Sequence, residues 1–310
     1  MEPITRRSFL TVSLKLATVL GLGASAAPAL ANALERITRG RAPTLWLQGQ
    51  CCSGCSVSLL DSEPFGPEQL LTRQIALAFH QTLSGATGHQ AVDTVNRAIA
   101  AGGHILVVEG SVPVGMPHAC LFGDEPFGDQ LRRAARAAKA VVAVGACAVS
   151  GGIPGAEGNA TGATSVPEFL KRNGLSVPCI SIPGCPAHPD WIVGTLAHVL
   201  EFGLPPLDEL GRPRAFFGTL IHDQCPRFAD YERENFASKF GEDGCLFRLG
   251  CAGPITKADC NLRQWNGGTN SCIRSGAPCI GCAREGFALR RDFPFYLKNG
   301  QLPPAKEGHA

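Results

Sequence analysis

The chain has 310 residues, 45% of them hydrophobic and 17% charged, with a formal net charge of +2. That composition supports a packed core and argues against a disordered chain, and the near-neutral balance argues against a nucleic-acid partner or a polybasic membrane contact. Fourteen cysteines, with 37 glycines and 23 prolines, point to disulfides or metal held in tight loops.

Thr5-Arg6-Arg7-Ser8-Phe9-Leu10 precedes a moderately apolar stretch, Leu14 to Leu30, that closes on Ala29-Leu30-Ala31. This resembles a twin-arginine export signal over residues 1–31, ending in an A-x-A cleavage site. A membrane anchor fits less well, because Lys15 interrupts the stretch and Gly21, Gly23 and Pro28 break it. Removing the signal takes away Arg6, Arg7, Lys15 and Glu2 and leaves basic and acidic residues equal in number. The twin-arginine route carries folded proteins with cofactors already inserted, so here the cysteines of an exported chain point to metal. No later apolar run reaches roughly 18 residues, so the mature chain is expected in the periplasm without a transmembrane helix of its own.

From Thr44 to Phe202, apolar β-type runs alternate with helix-like segments. In chain order these are strand Thr44–Leu47, helix Glu68–Phe79, strand Ile105–Val108, helix Gln130–Lys139, strands Val141–Val144 and Ile180–Ile182, and helix Asp190–Glu201. Leu131, Ala134, Ala135 and Ala138 share one face of the second helix, with Arg132, Arg133 and Arg136 elsewhere. The alternation predicts an α/β fold over residues 42–202, a doubly wound parallel sheet with helices on both faces. Ligands of such sheets sit at the carboxyl ends of the strands. The loops there are Cys51-Cys52-Ser53-Gly54-Cys55, Glu109-Gly110-Ser111-Val112-Pro113, Gly145-Ala146-Cys147 and Pro183-Gly184-Cys185-Pro186, all expected at one sheet edge. From Gly203 the cysteines become dense and the periodicity is lost. Residues 203–297 read as a loop-rich domain folded around metal, and 298–310 as an exposed tail.

Three groups of candidate ligands emerge. Cys52 and Cys55 form a C-x-x-C, a spacing shared by iron–sulfur, zinc and redox sites, and Cys147 and Cys185 add two thiolates at other strand ends. His222, Cys225, Cys245 and Cys251 offer three thiolates and an imidazole, a set that suits structural zinc or a cubane with one histidine ligand. Cys260, Cys272, Cys279 and Cys282 offer four thiolates, again open to zinc or a four-iron cluster.

The surrounding motifs resemble those of nickel–iron hydrogenase small subunits. They are Trp46 with Cys52-Ser53-Gly54-Cys55-Ser56-Val57-Ser58-Leu59-Leu60, Val108-Glu109-Gly110-Ser111-Val112-Pro113, and Ala146-Cys147-Ala148 with Gly151-Gly152-Ile153-Pro154. Next come Pro183-Gly184-Cys185-Pro186-Ala187-His188-Pro189-Asp190-Trp191, His222-Asp223-Gln224-Cys225-Pro226 and Gly250-Cys251-Ala252-Gly253-Pro254. Last is the run from Cys260 through Trp265-Asn266 to Cys279-Ile280-Gly281-Cys282. The resemblance implies a flavodoxin-like first domain without flavin, followed by an iron–sulfur domain. It implies three 4Fe-4S clusters: a proximal one on Cys52, Cys55, Cys147 and Cys185, a medial one on Cys260, Cys272, Cys279 and Cys282, and a distal one on His222, Cys225, Cys245 and Cys251. It also implies the reaction H2 ⇌ 2H+ + 2e−, with the nickel–iron centre in a separate large subunit. The electron acceptor would be a cytochrome c or a membrane quinone-linked protein.

Within that resemblance the chain makes choices. Many members carry proline where this chain has Cys272, and hold a 3Fe-4S medial cluster. Cys272 supplies a fourth thiolate, as in the selenium-containing branch, and a four-iron medial cluster follows unless Cys272 does not ligate. Oxygen-tolerant members carry extra cysteines where this chain has Gly54 and Gly152. Cys51, Cys120 and Cys179 are left without a ligand role, Cys179 reading as core, and Glu109 reads as a structural hydrogen-bonding carboxylate. Three rivals stand beside this reading. The related protein of respiratory complex I lacks the second cysteine-rich domain and the export signal. A cytoplasmic H2-sensing relative also lacks the signal. A secreted disulfide-rich binding protein would contain no iron.

Overall fold

The computed structural model describes residues 43–62 and 77–289. Five strands form one parallel sheet: β1 (Thr44–Gln48), β2 (Leu77–His80), β3 (Ile105–Glu109), β4 (Ala140–Val144) and β5 (Cys179–Ile182). Their order is β2-β1-β3-β4-β5, with every neighbouring pair parallel. This is the flavodoxin order, whose switch point lies between the first and third strands. The helices are α1 (Gly54–Leu60), α2 (Gly88–Ala101), α3 (Phe127–Ala137), α4 (Gly145–Ser150), α5 (Val166–Arg172) and α6 (Pro189–Phe202).

Every residue of β1, β3 and β4 is buried, as a parallel sheet covered on both faces requires. Successive side chains alternate between two cores. Trp46, Val107, Val142 and Ile180 face one, with Leu59 of α1 and Trp191, Ile192 and Leu196 of α6. Leu45, Leu106, Val108 and Val141 face the other, with Val95 of α2, Phe127, Leu131 and Ala134 of α3, and Phe169 of α5. The expected face of the second predicted helix is therefore the buried one, although Ala138 falls just past the end of α3.

One expectation fails. The helix read at Glu68–Phe79 lies mostly outside the described residues, and its last part, from Leu77, is strand β2 instead. Leu77-Ala78-Phe79-His80 pairs with β1, so sheet pairing overrides a short apolar pattern that periodicity alone leaves ambiguous. Helix α2 went unread because its apolar positions are few, with only Ala91 and Val95 buried. The export signal at 1–31 and the tail at 298–310 also lie outside the described residues.

Beyond Gly203 the described residues form short turns of helix and isolated bridges. Among them only a small satellite, Phe287 and Ala288 with Ala146, lies apart from the core on the sheet. Phe216, Phe217, Ile221, Leu246 and Ile273 continue the apolar cluster that Trp191 and Leu196 begin on the sheet face. Among the described residues no helix is long and apolar enough to cross a membrane.

Leu131 is fully buried between α3 and the sheet. Leu131→Ala should cost about 3 kcal/mol, read as a lower midpoint in chemical denaturation.

Candidate metal centres

The five strands run parallel, so the loops after β1, β3, β4 and β5 leave the same edge. That edge carries Cys51 and Cys52, Glu109, Cys147 and Cys185, and Cys55 sits in the first turn of α1. Close backbone approach brings them together. Gly145 has φ +87°, and a Cβ there would lie 2.5 Å from Cys55 Sγ. Gly152 has φ +56°, and a Cβ there would lie 2.7 Å from Cys147 Sγ. Only glycine suits these positions. Gly54 abuts a third thiol, its hypothetical Cβ 3.1 Å from Cys52 Sγ. Burial pushes Cys147 up to about 12, and the charges of Cys185 and Cys52 push the same way. Cys55 is held well above the ordinary thiol range by burial, then by Glu109, with Cys147 and Cys185 adding to it. The four predicted proximal residues thus form one electrostatic group.

Glu109 organises this edge. Its buried carboxylate accepts hydrogen bonds from Trp46 Nε1 (3.2 Å), Gln48 Nε2 (3.1 Å), Cys55 N (3.0 Å), Ser56 N (3.3 Å) and Ser56 Oγ. Ser53, which precedes α1, makes no side-chain capping bond, and the first turn of the helix holds no acidic residue. Glu109 therefore takes the place of an N-terminal cap from another strand. Behind it lies His80, stacked on Trp46 with ring centroids 5.0 Å apart. His80 Nδ1 accepts from Thr82 N (3.0 Å), so the ring proton sits on Nε2 and is donated to Ser56 Oγ (3.0 Å). Sequence reading placed Glu109 in this layer but missed Gln48, Ser56 and His80, which come from three different elements.

The other two sets are equally well gathered. His222, Cys225, Cys245 and Cys251 line one narrow pocket with Arg227, Phe247 and Ile273. The His222 ring packs against Phe228 and Tyr231, with centroids 5.1 and 4.6 Å away. Cys260, Cys272, Cys279 and Cys282 line a cavity of about 310 Å³, which Cys185, Trp191 and Trp265 also border. Cys272 thus stands with the other three. Cys120 and Cys179 pack against the core on the opposite sheet face, away from all three sets. Burial, then Glu109, pushes Cys51 up to about 11. All fourteen cysteines lie among the described residues and none is in a disulfide.

Two features test whether these donors suit a metal centre. Backbone amides donate to thiol sulfurs at Ala187 N to Cys55 (3.5 Å), Arg227 N to Cys225 (3.4 Å), Gly253 N to Cys251 (3.4 Å) and Gly281 N to Cys279 (3.3 Å). Such bonds stabilise thiolate. Burial, the largest cause in each case, raises Cys225, Cys245, Cys251, Cys272, Cys279 and Cys282, the last to about 11. As ionised ligands these sulfurs would need a cationic centre to offset that cost.

His80 is held down to about 4, against an ordinary 6.5, chiefly by burial. Between those values the unfolded chain takes up a proton that the folded chain refuses, so stability falls as pH drops through that window. His80→Gln should remove this dependence. In denaturant titrations at pH 6.5 and roughly 5, the native chain should lose about 1.5 kcal/mol more than the variant. Equal losses would show that His80 titrates normally.

Residues 217–296 match the family model for the C-terminal region of the NiFe/NiFeSe hydrogenase small subunit, and residues 52–199 match that of the NADH ubiquinone oxidoreductase 20 Kd subunit. The chain is 39% identical to the periplasmic NiFeSe hydrogenase small subunit of Desulfomicrobium baculatum, over 95% of this chain and 99% of that one. It is 39% identical to an uptake hydrogenase small subunit of Afipia carboxidovorans, over 92% of this chain and 79% of that one. Its fold is similar to the NiFeSe hydrogenase structure from Dm. baculatum, with a TM-score of 0.78 and 40% identity over 83% of this chain and 99% of that chain. The NiFeSe hydrogenase of Desulfovibrio vulgaris Hildenborough gives a TM-score of 0.77 and 42% identity, over 83% and 98%. The NADH ubiquinone oxidoreductase model covers only the sheet half, while the cysteine-rich half matches the hydrogenase model, and the near full-length relatives agree: the chain belongs to the family of NiFe/NiFeSe hydrogenase small subunits.

Proposed function

We propose that this chain is an electron conductor, linking the nickel–iron centre of a large subunit to an external redox partner through three iron–sulfur clusters. The observation that carries this reading is that the three donor sets lie in series. Cys185 borders the cavity of the second set, together with Cys282, and its charge bears on Cys282. On the far side, Ala252 N donates to the Cys279 carbonyl (2.7 Å), and the charge of Cys251 bears on Cys279. Read as cluster sites, the three sets would run proximal, medial, distal, from the sheet edge outward.

When bound, iron–sulfur clusters supply one-electron carriers whose potentials follow ligand type, hydrogen bonding and exposure. The chain's residues would set those terms. Cys52, Cys55, Cys147 and Cys185 would hold the proximal 4Fe-4S cluster, with Glu109 fixing the Cys55 amide. Cys260, Cys272, Cys279 and Cys282 would hold a medial 4Fe-4S cluster, and the shared cavity including Cys272 favours four ligands over three. His222, Cys225, Cys245 and Cys251 would hold the distal cluster. At the proximal edge Cys52 and Cys185 are exposed, and Val57 and Ile153 are exposed apolar residues at 64% and 56%. Apolar exposure beside a buried charge network supports a covering partner there, the large subunit. The acceptor on the distal side would be a cytochrome c or a quinone-linked membrane protein. The twin arginines support export to the periplasm.

Purified with its large subunit, the chain should contain iron and acid-labile sulfide for three clusters. Electron paramagnetic resonance of the oxidised protein should lack a strong three-iron signal, and Cys272→Pro should create one. A strong three-iron signal in the native protein would overturn the four-iron medial cluster. Paired Arg6→Lys and Arg7→Lys substitutions should trap the holoenzyme in the cytoplasm, as seen by cell fractionation, whereas unchanged periplasmic activity would argue for another route.

A further inference from the structure

Two conspicuous motifs supply no ligand: Ala187-His188-Pro189-Asp190-Trp191 at the start of α6, and Trp265-Asn266 after Cys260. The structure brings them face to face. Arg263, with its side chain 7% exposed, donates from Nη1 to Asp190 Oδ2 (3.1 Å) and from Nε and Nη2 to the two oxygens of Asp259. Trp191 Nε1 donates to Asp259 Oδ1 (2.7 Å). His188 Nδ1 accepts from Asp190 N (3.2 Å), which leaves the proton on Nε2 to be donated to the Gln264 carbonyl (2.7 Å). The His188 ring also packs on Trp265, with centroids 4.6 Å apart. The Arg263 guanidinium sits 5.2 Å from the centre of the Phe216 ring.

Four of these links, Arg263 to Asp190, Trp191 to Asp259, His188 to Gln264 and His188 to Trp265, join residues 188–191 to residues 259–265. The first segment begins three residues after Cys185, and the second contains Cys260. Cys185, Cys260, Trp191 and Trp265 border the same cavity. A buried arginine bridging two carboxylates contributes less to stability than apolar packing of the same volume would. What it does supply is fixed geometry, since a planar fork engaging two acceptors permits one orientation.

We propose that the Asp190–Arg263–Asp259 clasp, with His188 and Trp191, is a positioning device that sets the gap between the proximal and medial centres. The proposal rests on the iron–sulfur reading of the two donor sets. With both donor sets loaded, the spacing held by these residues would govern a one-electron transfer from the proximal to the medial centre, with no bond made or broken. Electron tunnelling falls exponentially with distance, so a small relaxation of the clasp slows this step before it disturbs the thiol ligands. Arg263 acts through that spacing and touches no reacting atom.

The test uses the heterodimeric holoenzyme carrying Arg263→Gln, Arg263→Lys or Asp190→Asn. Iron and sulfide content shows whether the clusters are loaded. Hydrogen–deuterium exchange of the gas reports the partner's centre alone. The magnetic interaction between proximal and medial clusters in the reduced enzyme reports their spacing. Rapid freeze-quench after mixing with H2 reports electron arrival at the distal cluster. In Arg263→Gln, full iron content with weakened magnetic interaction and at least tenfold slower arrival is expected. Arg263→Lys, which keeps the charge but loses the fork, should fall between it and the native enzyme. Should Arg263→Gln fail to assemble, Asp190→Asn carries the same expectation, because it preserves shape and removes the charge. Native interaction and native arrival times in a loaded variant would overturn the clasp. Absence of iron and sulfide from the native enzyme would instead refute the iron–sulfur reading beneath it.

Discussion

Glu109 stands at the carboxyl end of β3 with its carboxylate out of water and Trp46, Gln48, Cys55 and Ser56 donating to it. A buried charge is tolerated only when its acceptor sites are filled, so each of those donors is held in place by the cost of leaving. The consequence reaches well beyond one residue. Cys55 and Ser56 lie in the first turn of α1, Trp46 and Gln48 lie in β1, and His80, stacked on Trp46 and bonded to Ser56, ends β2. One carboxylate therefore ties three strands and a helix together at the switch point of the sheet. Cys55 owes its position to that tie, and Ala187 beside Cys185 is drawn in through Ser58 Oγ, which donates to the Ala187 carbonyl at 2.6 Å.

Around this fixed edge the thiols are crowded and desolvated, an arrangement that is costly for ionised sulfur and useful for a cationic inorganic centre. The glycines are part of the same logic. At Gly145 and Gly152 any side chain would occupy the space of a thiol, so the backbone itself forms the wall. Amide-to-sulfur hydrogen bonds recur two residues beyond Cys225, Cys251 and Cys279. The same local turn is thus used in two donor sets of the second half, and it partly offsets the desolvation of each sulfur.

The cysteine-rich half depends on the sheet for its core. Phe216, Phe217, Ile221 and Ile273 pack into the cluster headed by Trp46 and Trp191, so the loops that carry the second and third donor sets are anchored on the same face as α6. Buried Arg212 adds a further tie, bonded to Asp208, donating to the Ala283 carbonyl and lying over Phe217. An electron path across two differently built regions needs this continuity, because separate cores would let the donor sets move relative to one another.

Much of this was legible in the sequence. Four of the five strands read directly from apolar runs, because a strand buried on both faces must be apolar throughout. The grouping of cysteines followed from C-x-x-C spacing and from their places after strands. Glycine, proline and cysteine are informative in sequence because their constraints are local. Strand β2 was not legible, since four residues carry too little pattern to outweigh a helical reading and only the pairing with β1 decides. The partners of Glu109 were not legible either, nor was the meeting of Asp190 with Arg263. Those contacts span more than fifty residues, and a hydrogen bond between distant side chains leaves no periodicity. The sequence by itself determined which side chains are the candidate ligands. Only the tertiary structure decided that they stand in three adjoining groups, because that order comes from strands aligned in parallel and from a core shared across both halves.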